Sequence, residues 1–157
     1  MKLQLIYLDT SVFGGCFEPE FSEWSIGLIR DIENGLFQAT TSEIVAFEID
    51  AGAPEIVQQK FSSFLNGCSP EVLSMSEDVL TLSDAYLAHG ILTQKFRNDM
   101  MHIALATVHG VDIVASWNFK HIVRFEKIVK FNAVNLELGY HQIAIHSPRE
   151  LATYGKD

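Results

Sequence analysis

Short apolar runs and longer amphipathic stretches alternate along the chain. The apolar runs are rich in Ile, Val and Leu and are bounded by polar residues, which predicts buried strands. These predicted strands cover residues 3–8, 36–40, 71–75, 112–116 and 143–145. The amphipathic stretches predict helices, most of them opened by a capping residue or Pro and closed by Gly. One predicted helix follows the capping residues at 9–11, and a last helical turn begins at Pro148. The other predicted helices cover residues 22–34, 43–51, 54–67, 76–90 and 98–109, the last of them capped by Asn98.

This alternation predicts an α/β fold with three layers, in which helices cover both faces of a mainly parallel sheet. In such folds the functional site lies beyond the carboxyl ends of the strands. Polar residues mark two of these ends: Asp9 follows the first strand, and Ser116 and Asn118 follow the fourth. We therefore expect the chemistry of this protein at that edge of the sheet.

The length and composition indicate one globular domain over residues 1–157. The chain is 48% hydrophobic and only 20% charged, which excludes a disordered protein. No apolar stretch is long enough to span a membrane, and no secretory signal opens the chain. Cys16 and Cys68 form neither a disulfide framework nor a paired metal motif. We expect a cytoplasmic protein without a membrane partner.

The charge is strongly acidic overall but uneven along the chain. A formal net charge of −9 argues against a protein that coats nucleic acid electrostatically. Between positions 95 and 130, however, the chain contains six Lys and Arg residues and three Asp and Glu residues, which gives this segment a formal charge of +3. A basic surface beside an acidic pocket suits an enzyme that acts on a polyanion, although an ordinary solvated face has the same composition.

Three acidic residues are candidates for the site, and each has a structural alternative. Asp9 ends the first strand but is equally placed to cap the next helix. Glu48 lies among apolar helical neighbours, where a carboxylate is costly unless it is paired, but it also suits a solvent-facing position. Asp99 opens a late helix, where the helix dipole favours an acid. His102 lies on the same helix face as Asp99, and a histidine in such a position is more often packed or hydrogen-bonded than a metal ligand.

The order of these acids is more informative than any one of them. One ends the first strand, one lies in an early helix and one opens a late helix, before a polar residue that follows a strand. Clusters of oxygen ligands suit hard cations such as Mg²⁺ or Mn²⁺. Such ions activate water and stabilise charge on a phosphate during in-line attack.

Four segments carry a resemblance to a known family. They are YLDTSV at 7–12, TSEIVAFE at 41–48, NDMMHIALA at 98–106 and VASWN at 114–118. Together these segments resemble the PIN-domain family and, within it, the VapC-like ribonuclease toxins of type II toxin–antitoxin systems. The resemblance covers roughly residues 3–124, and a strand and short helix at 143–152 complete the domain.

The resemblance implies a ribonuclease that depends on Mg²⁺ or Mn²⁺ and cleaves RNA through a metal-activated water. By their positions, Asp9, Glu48 and Asp99 would be the catalytic acids that bind the metal. Asn118 stands where the family commonly has a further Asp and would assist as a neutral ligand. The family also implies a homodimer and an antitoxin protein that covers the site.

The substrate contacts are expected close to these acids. Lys120 and Arg124 follow Asn118 and are placed to contact phosphates, and Ser11 and Ser116 flank the acids. An alternative function remains open: a degenerate PIN-like module that binds RNA or a protein without cleavage. The three acids favour the enzyme, whereas Asn118 and the net charge of −9 favour the binding module.

Overall fold

A computed structural model of the protein describes residues 2–152 and contains a five-stranded sheet. The strand order is β3-β2-β1-β4-β5, and all four neighbouring pairs are parallel. The strands are β1 (Leu5–Leu8), β2 (Gln38–Ser42), β3 (Glu71–Leu73), β4 (Ile113–Ala115) and β5 (Ala144–His146). The predicted α/β class is confirmed, and the sheet is entirely parallel.

Within the described residues, eight α-helices connect and cover these strands. They are α1 (Thr10–Gly15), α2 (Ser22–Glu33), α3 (Glu43–Gly52), α4 (Glu55–Cys68), α5 (Glu77–Ala88), α6 (Arg97–Val108), α7 (Phe125–Glu137) and α8 (Pro148–Leu151). Helix α2 packs against α1, α4 and α8, whereas α5 packs against α6 and α7. Ile6, Tyr7 and Leu8 are all fully buried in β1. Because neighbouring strand residues point to opposite faces, helices must cover both sides of the sheet.

Several local predictions differ from the structure. The sequence pattern missed α7, because exposed apolar residues such as Phe125 and Val129 blur its amphipathic stripe. Strand β2 lies two residues later than predicted, and polar Thr40 fits its buried interior by donating a hydrogen bond to the Ile6 carbonyl. Asn98 does not cap α6, because a 3₁₀ turn (Gln94–Phe96) leads into the helix and places Asn98 inside its first turn.

The two poles of the sheet carry different chemistry. At the amino ends of the strands, the Asp112 carboxylate accepts a hydrogen bond of 2.8 Å from the Leu5 amide, a structural contact. At the carboxyl ends, Asp9 and Ser116 follow β1 and β4, and the Asp9 amide donates to the Ala115 carbonyl. In the range 2–152, none of the helices is both long and apolar enough to cross a membrane.

Candidate functional site

A cavity of about 390 Å³ opens at the carboxyl ends of the central strands. Its walls come from segments that are far apart in the sequence: the start of α1, the middle of α3, the first turns of α6 and the loop after β4. The lining residues are Asp9, Thr10, Ser11, Glu48, Asp99, His102 and Asn118. The fold thus brings the three predicted acids and Asn118 to the same pocket.

Asp9 is held by donors on both of its carboxylate oxygens. Its Oδ1 accepts from the Ser11 amide at 3.1 Å and from the Ser11 hydroxyl at 2.6 Å, which caps α1. Its Oδ2 accepts from the Ser116 hydroxyl at 2.6 Å. Asp9 therefore caps a helix and lines the pocket, so the two interpretations of this residue are compatible.

The structure gives Ser116 a supporting role that differs from the predicted substrate contact. Its side chain is fully buried. Its hydroxyl donates to Asp9 and accepts from the Asn118 amide at 3.0 Å. Ser11 faces the pocket, but its hydroxyl also bonds Asp9 and accepts from the Trp117 amide. Both serines thus fix the carboxylate rather than standing free for a ligand.

Three side chains from two other helices form hydrogen bonds with the Glu48 carboxylate. Its Oε1 accepts from the Thr10 hydroxyl and lies 2.9 Å from His102 Nε2, and its Oε2 accepts from the Asn98 amide at 3.1 Å. Asn98 and His102 are four residues apart and so share one face of α6. The Glu48 side chain is 24% exposed, so it does not face bulk solvent as a surface residue would.

Asp99 and Asn118 both contact His121, a residue that the sequence pattern did not single out. Asp99 Oδ2 lies 2.9 Å from His121 Nδ1, and the ring of His121 packs on Phe96 with centroids 3.9 Å apart. Asn118 Oδ1 accepts from the His121 amide at 2.9 Å. Asn118 thus closes the turn after β4 while it lines the pocket.

The pKa values of the buried groups diverge because their hydrogen-bond partners differ. Burial raises the pKa of Asp9, and the charge of His102 and the hydroxyls of Ser11 and Ser116 offset this only in part. Burial would also raise the pKa of Glu48, but the His102, Thr10 and Asn98 contacts outweigh it and lower the pKa to about 2. Asp9 and Glu48 are therefore not equally strained, although they share one pocket.

His102 responds to the same acids. Burial alone would lower the pKa of its imidazole, but the hydrogen bond and charge of Glu48, with the charges of Asp9 and Asp99, raise it. Only 3% of the His102 side chain is exposed. This histidine is thus a buried partner of the acidic pocket, not a surface base.

No protein-family model and no curated protein matches the chain, but solved structures do. VapBC2 from Rickettsia felis, bound to a DNA fragment from its promoter, superposes with a TM-score of 0.58 at 14% sequence identity, over 92% of this chain and 98% of that chain. A toxin–antitoxin complex from Klebsiella pneumoniae matches with a TM-score of 0.54 at 19% identity, over 74% of this chain and 88% of the other. The chain has a VapC-like, PIN-type fold.

A PIN-type fold does not by itself assign an activity. A tyrosyl-tRNA synthetase from Archaeoglobus fulgidus, complexed with L-tyrosine, also matches, with a TM-score of 0.52 at 13% identity. The match covers 94% of this chain and 55% of the synthetase chain. The side chains of the pocket, rather than the fold alone, must therefore carry any argument about function.

The donor set of the PIN-like pocket fits a hard divalent cation, although the side chains do not form a closed metal site. Among residues 2–152, no three His, Cys, Asp or Glu side chains are grouped tightly enough to hold an ion. An ionised carboxylate has about four acceptor positions, and Asp9 and Glu48 each use three of them. Each therefore keeps one acceptor position that no protein donor occupies.

Asn118→Asp tests whether the Asn118 side chain reaches a metal. The substitution adds a charge at nearly constant volume and keeps an oxygen for the His121 amide. If residue 118 is a ligand, we expect Mn²⁺ to bind about tenfold more tightly, because affinity rises with ligand charge. Calorimetric titration of both proteins measures this, and equal or weaker binding by Asn118→Asp would remove Asn118 from the metal site.

The basic residues predicted to contact phosphate lie outside the pocket wall. Lys120 and Arg124 are exposed, and Arg124 Nε is 3.2 Å from Glu126 Oε1. Both follow Asn118 in the loop between β4 and α7.

Trp117 is buried and supports the wall of the site. Its ring stacks on Phe21 with centroids 4.1 Å apart, and its indole N–H donates to the Ser25 hydroxyl.

Sequence reasoning missed several polar partners of the acids. The spacing of Asn98 and His102 on one helix face was available as a signal, but their common target, Glu48, is fifty or more positions away in the chain. Nothing local marked Thr10 or His121 as partners. Such contacts become visible only when the helices are placed around the sheet.

Proposed function

We propose that this protein is a divalent-metal-dependent endoribonuclease in which Asp9, Glu48 and Asp99 are the catalytic acids. The observation that carries the proposal is their location in one pocket of a VapC-like fold, although they come from three distant segments. A wholly structural role does not require three acids at the carboxyl edge of a parallel sheet, which is where such folds place their sites.

Some residues of the pocket would bind the metal ion, and others orient the residues that bind it. A bound Mg²⁺ or Mn²⁺ would supply an activated water and stabilise charge on the phosphate. Asp9, Glu48 and Asp99 would hold it, with Asn118 as a further oxygen donor. Ser11 and Ser116 keep Asp9 oriented, and His121 does so for Asp99. Fixed acids lose little conformational freedom when they bind.

The substrate that best suits an acidic pocket followed in the chain by two exposed basic residues is a nucleic acid backbone. Lys120 and Arg124 would contact phosphates beside the acidic pocket and offset the repulsion of a polyanion by a protein of net charge −9. We propose RNA as the substrate, on the resemblance to ribonuclease toxins. Contacts of this kind bind the backbone without reading its sequence.

We further propose an antitoxin protein as a partner and a homodimer as the assembly. The Klebsiella structure is a toxin–antitoxin complex, and the Rickettsia structure is VapBC2 bound to a DNA fragment from its promoter. A small antitoxin-like reading frame beside the gene for this protein would support the toxin assignment. Such a partner would have to cover the pocket to inhibit cleavage.

A second candidate function is a PIN-like module that binds RNA or protein without cleaving. Two observations favour it: the acids are not grouped as a closed metal site in residues 2–152, and Asn118 replaces an acid and caps a turn. The two candidates make opposite predictions about metal-dependent turnover, so one assay separates them.

The decisive assay is cleavage of single-stranded RNA with Mg²⁺ or Mn²⁺, with and without EDTA. We expect cleavage that needs the metal and that falls by about 100-fold or more in Asp9→Asn, since a metal ligand supplies several kcal/mol in the transition state. Asp50→Asn makes the same chemical change at an exposed position of α3 and should retain activity. Binding of RNA without any cleavage would favour the binding module.

A further inference from the structure

A buried chain of side chains leads from the centre of β1 to Glu48. The Tyr7 side chain is fully buried, and its hydroxyl lies 2.6 Å from His102 Nδ1 and 2.8 Å from the Ser42 hydroxyl. On the other side of the ring, His102 Nε2 lies 2.9 Å from Glu48 Oε1. Ser42 in turn accepts from the Val45 amide and caps α3, the helix that carries Glu48.

The contacts at the two ends of the ring fix the direction of the hydrogen bonds. A carboxylate only accepts, so His102 Nε2 must carry the proton that bonds Glu48. In neutral imidazole the other nitrogen then has no proton, and Nδ1 accepts from the Tyr7 hydroxyl. The Ser42 hydroxyl can donate to the Tyr7 oxygen while it accepts from Val45. All donors and acceptors along the chain are satisfied.

The hold on Glu48 does not depend on the protonation state of His102. If both ring nitrogens carry protons, Nδ1 donates to the Tyr7 oxygen, and the Tyr7 hydroxyl turns to donate to Ser42. Nε2 still donates to Glu48 in that state. The two hydroxyls thus accommodate either form of the ring by rotation, without any movement of heavy atoms.

Packing alone does not account for these polar groups. Phe at position 7 and an apolar residue at position 102 would fill similar space without the cost of burying a hydroxyl and an imidazole. The long Glu48 side chain, in contrast, gains from a rigid donor, because its position in the pocket would otherwise vary among rotamers. Thr10 and Asn98 also donate to Glu48, but Thr10 is partly exposed and Asn98 is exposed.

We propose that Tyr7 and His102 are positioning residues that hold the Glu48 carboxylate in the orientation needed to bind a divalent metal. The inference rests on the proposed function in that it takes Glu48 as a metal ligand. His102 acts through its fixed Nε2 proton and does not itself ligate the ion. Tyr7 acts one step further away, by bonding Nδ1 and so fixing the position of the ring. Residues that orient metal ligands in this way commonly contribute 10-fold to 100-fold to metal affinity.

Tyr7→Phe is the first test, and the chain offers a matched control. Tyr86 is also fully buried, and its hydroxyl donates to Asn135 between α5 and α7, away from the pocket. Both substitutions remove one buried hydroxyl, so their costs in stability should be similar. We expect Tyr7→Phe to weaken Mn²⁺ binding about 10-fold in calorimetric titration, and Tyr86→Phe to leave it unchanged. Equal Mn²⁺ affinities in the two variants would overturn the proposal.

Two substitutions at position 102 separate the role of Nε2 from the volume of the ring. In His102→Gln the side-chain amide can place an N–H close to the position of Nε2, whereas in His102→Asn the shorter amide reaches only the position of Nδ1. We expect Gln to retain Mn²⁺ affinity within about 3-fold and Asn to lose about 10-fold. Equal losses in both variants would contradict a positioning role for Nε2.

A spectroscopic measurement tests the tautomer without metal or RNA. Long-range ¹H–¹⁵N correlation spectra, recorded at a pH where His102 is neutral, should show the proton on Nε2 in the wild type and in Tyr86→Phe. Tyr7→Phe should keep the proton on Nε2, because Glu48 still accepts it, but should shift the Nδ1 resonance towards the value of a ring nitrogen that accepts no hydrogen bond. A proton on Nδ1 in the wild type, or no Mn²⁺ binding by the wild type, would refute the proposal. Absence of RNA cleavage with the expected Mn²⁺ responses would count only against the nuclease function.

Discussion

Mn²⁺ is expected to raise the melting temperature of the metal-free protein by about 5–10 °C when its concentration is a hundred times the dissociation constant. A ligand that binds only the native state stabilises it by about 2.7 kcal/mol under that condition. For a domain of this size, each kcal/mol shifts the melting temperature by about 2–4 °C. Differential scanning calorimetry at increasing Mn²⁺ concentrations measures the shift directly.

The control for this result is the loss of the shift when one proposed ligand is neutralised. Asp9→Asn keeps a residue that caps α1 well, so the fold should survive while the Mn²⁺ shift disappears. Asp50→Asn, on the exposed side of α3, should keep the full shift. A melting temperature that stays constant up to millimolar Mn²⁺ would show that the pocket is not a competent metal site.

Neutralising two acids of the same pocket should change the stability of the metal-free protein in opposite directions. Because burial raises the pKa of Asp9, its charge costs native-state free energy, and Asp9→Asn should stabilise the protein. The low pKa of Glu48, about 2, means that its charged form is stabilised by its partners. Glu48→Gln should therefore lower the free energy of unfolding, by about 1–2 kcal/mol, the scale of hydrogen bonds to a charged group. Urea titration of both variants at pH 7 measures the two signs.

The two differences should both shrink in acid. The stabilising contribution of Glu48 is present above its ordinary pKa of 4.5 and is lost as the pH falls towards 2. The cost of the Asp9 charge is relieved once the pH falls below its raised pKa. Repeating the urea titrations at pH 3 should therefore bring each variant closer to the wild type. Destabilisation by Asp9→Asn at pH 7 would contradict the account of its burial.

The regular pattern of the sequence was sufficient for the class of the fold. Short apolar runs that alternate with capped helices leave few arrangements other than a covered parallel sheet. The turns that end helices were equally readable: Gly35 and Gly110 both adopt positive φ just beyond α2 and α6, as their positions predict. Helix α7 was not predicted, because its exposed Phe125 and Val129 obscure the apolar stripe that faces the core.

The sequence also predicted which polar residues meet at this edge of the sheet, because parallel strands place their carboxyl ends there. Asp9 and Asn118 follow strands that pair directly, β1 and β4, so their proximity follows from the predicted topology. For Glu48 and Asp99 the prediction depended on a resemblance carried by four short segments, and the solved structures agree with the fold it implied.

Only the tertiary structure decided how these acids are held. The sequence by itself determined the parallel α/β class and the edge at which polar residues collect, since both follow from local patterns and the direction of the strands. Whether Glu48 meets His102, Thr10 and Asn98, or solvent, depends on how α1, α3 and α6 pack around the sheet. The same packing buries Asp9 and moves its pKa in the opposite direction from that of Glu48. Burial and hydrogen-bond partners depend on residues that are distant in the chain, so no local sequence pattern encodes them.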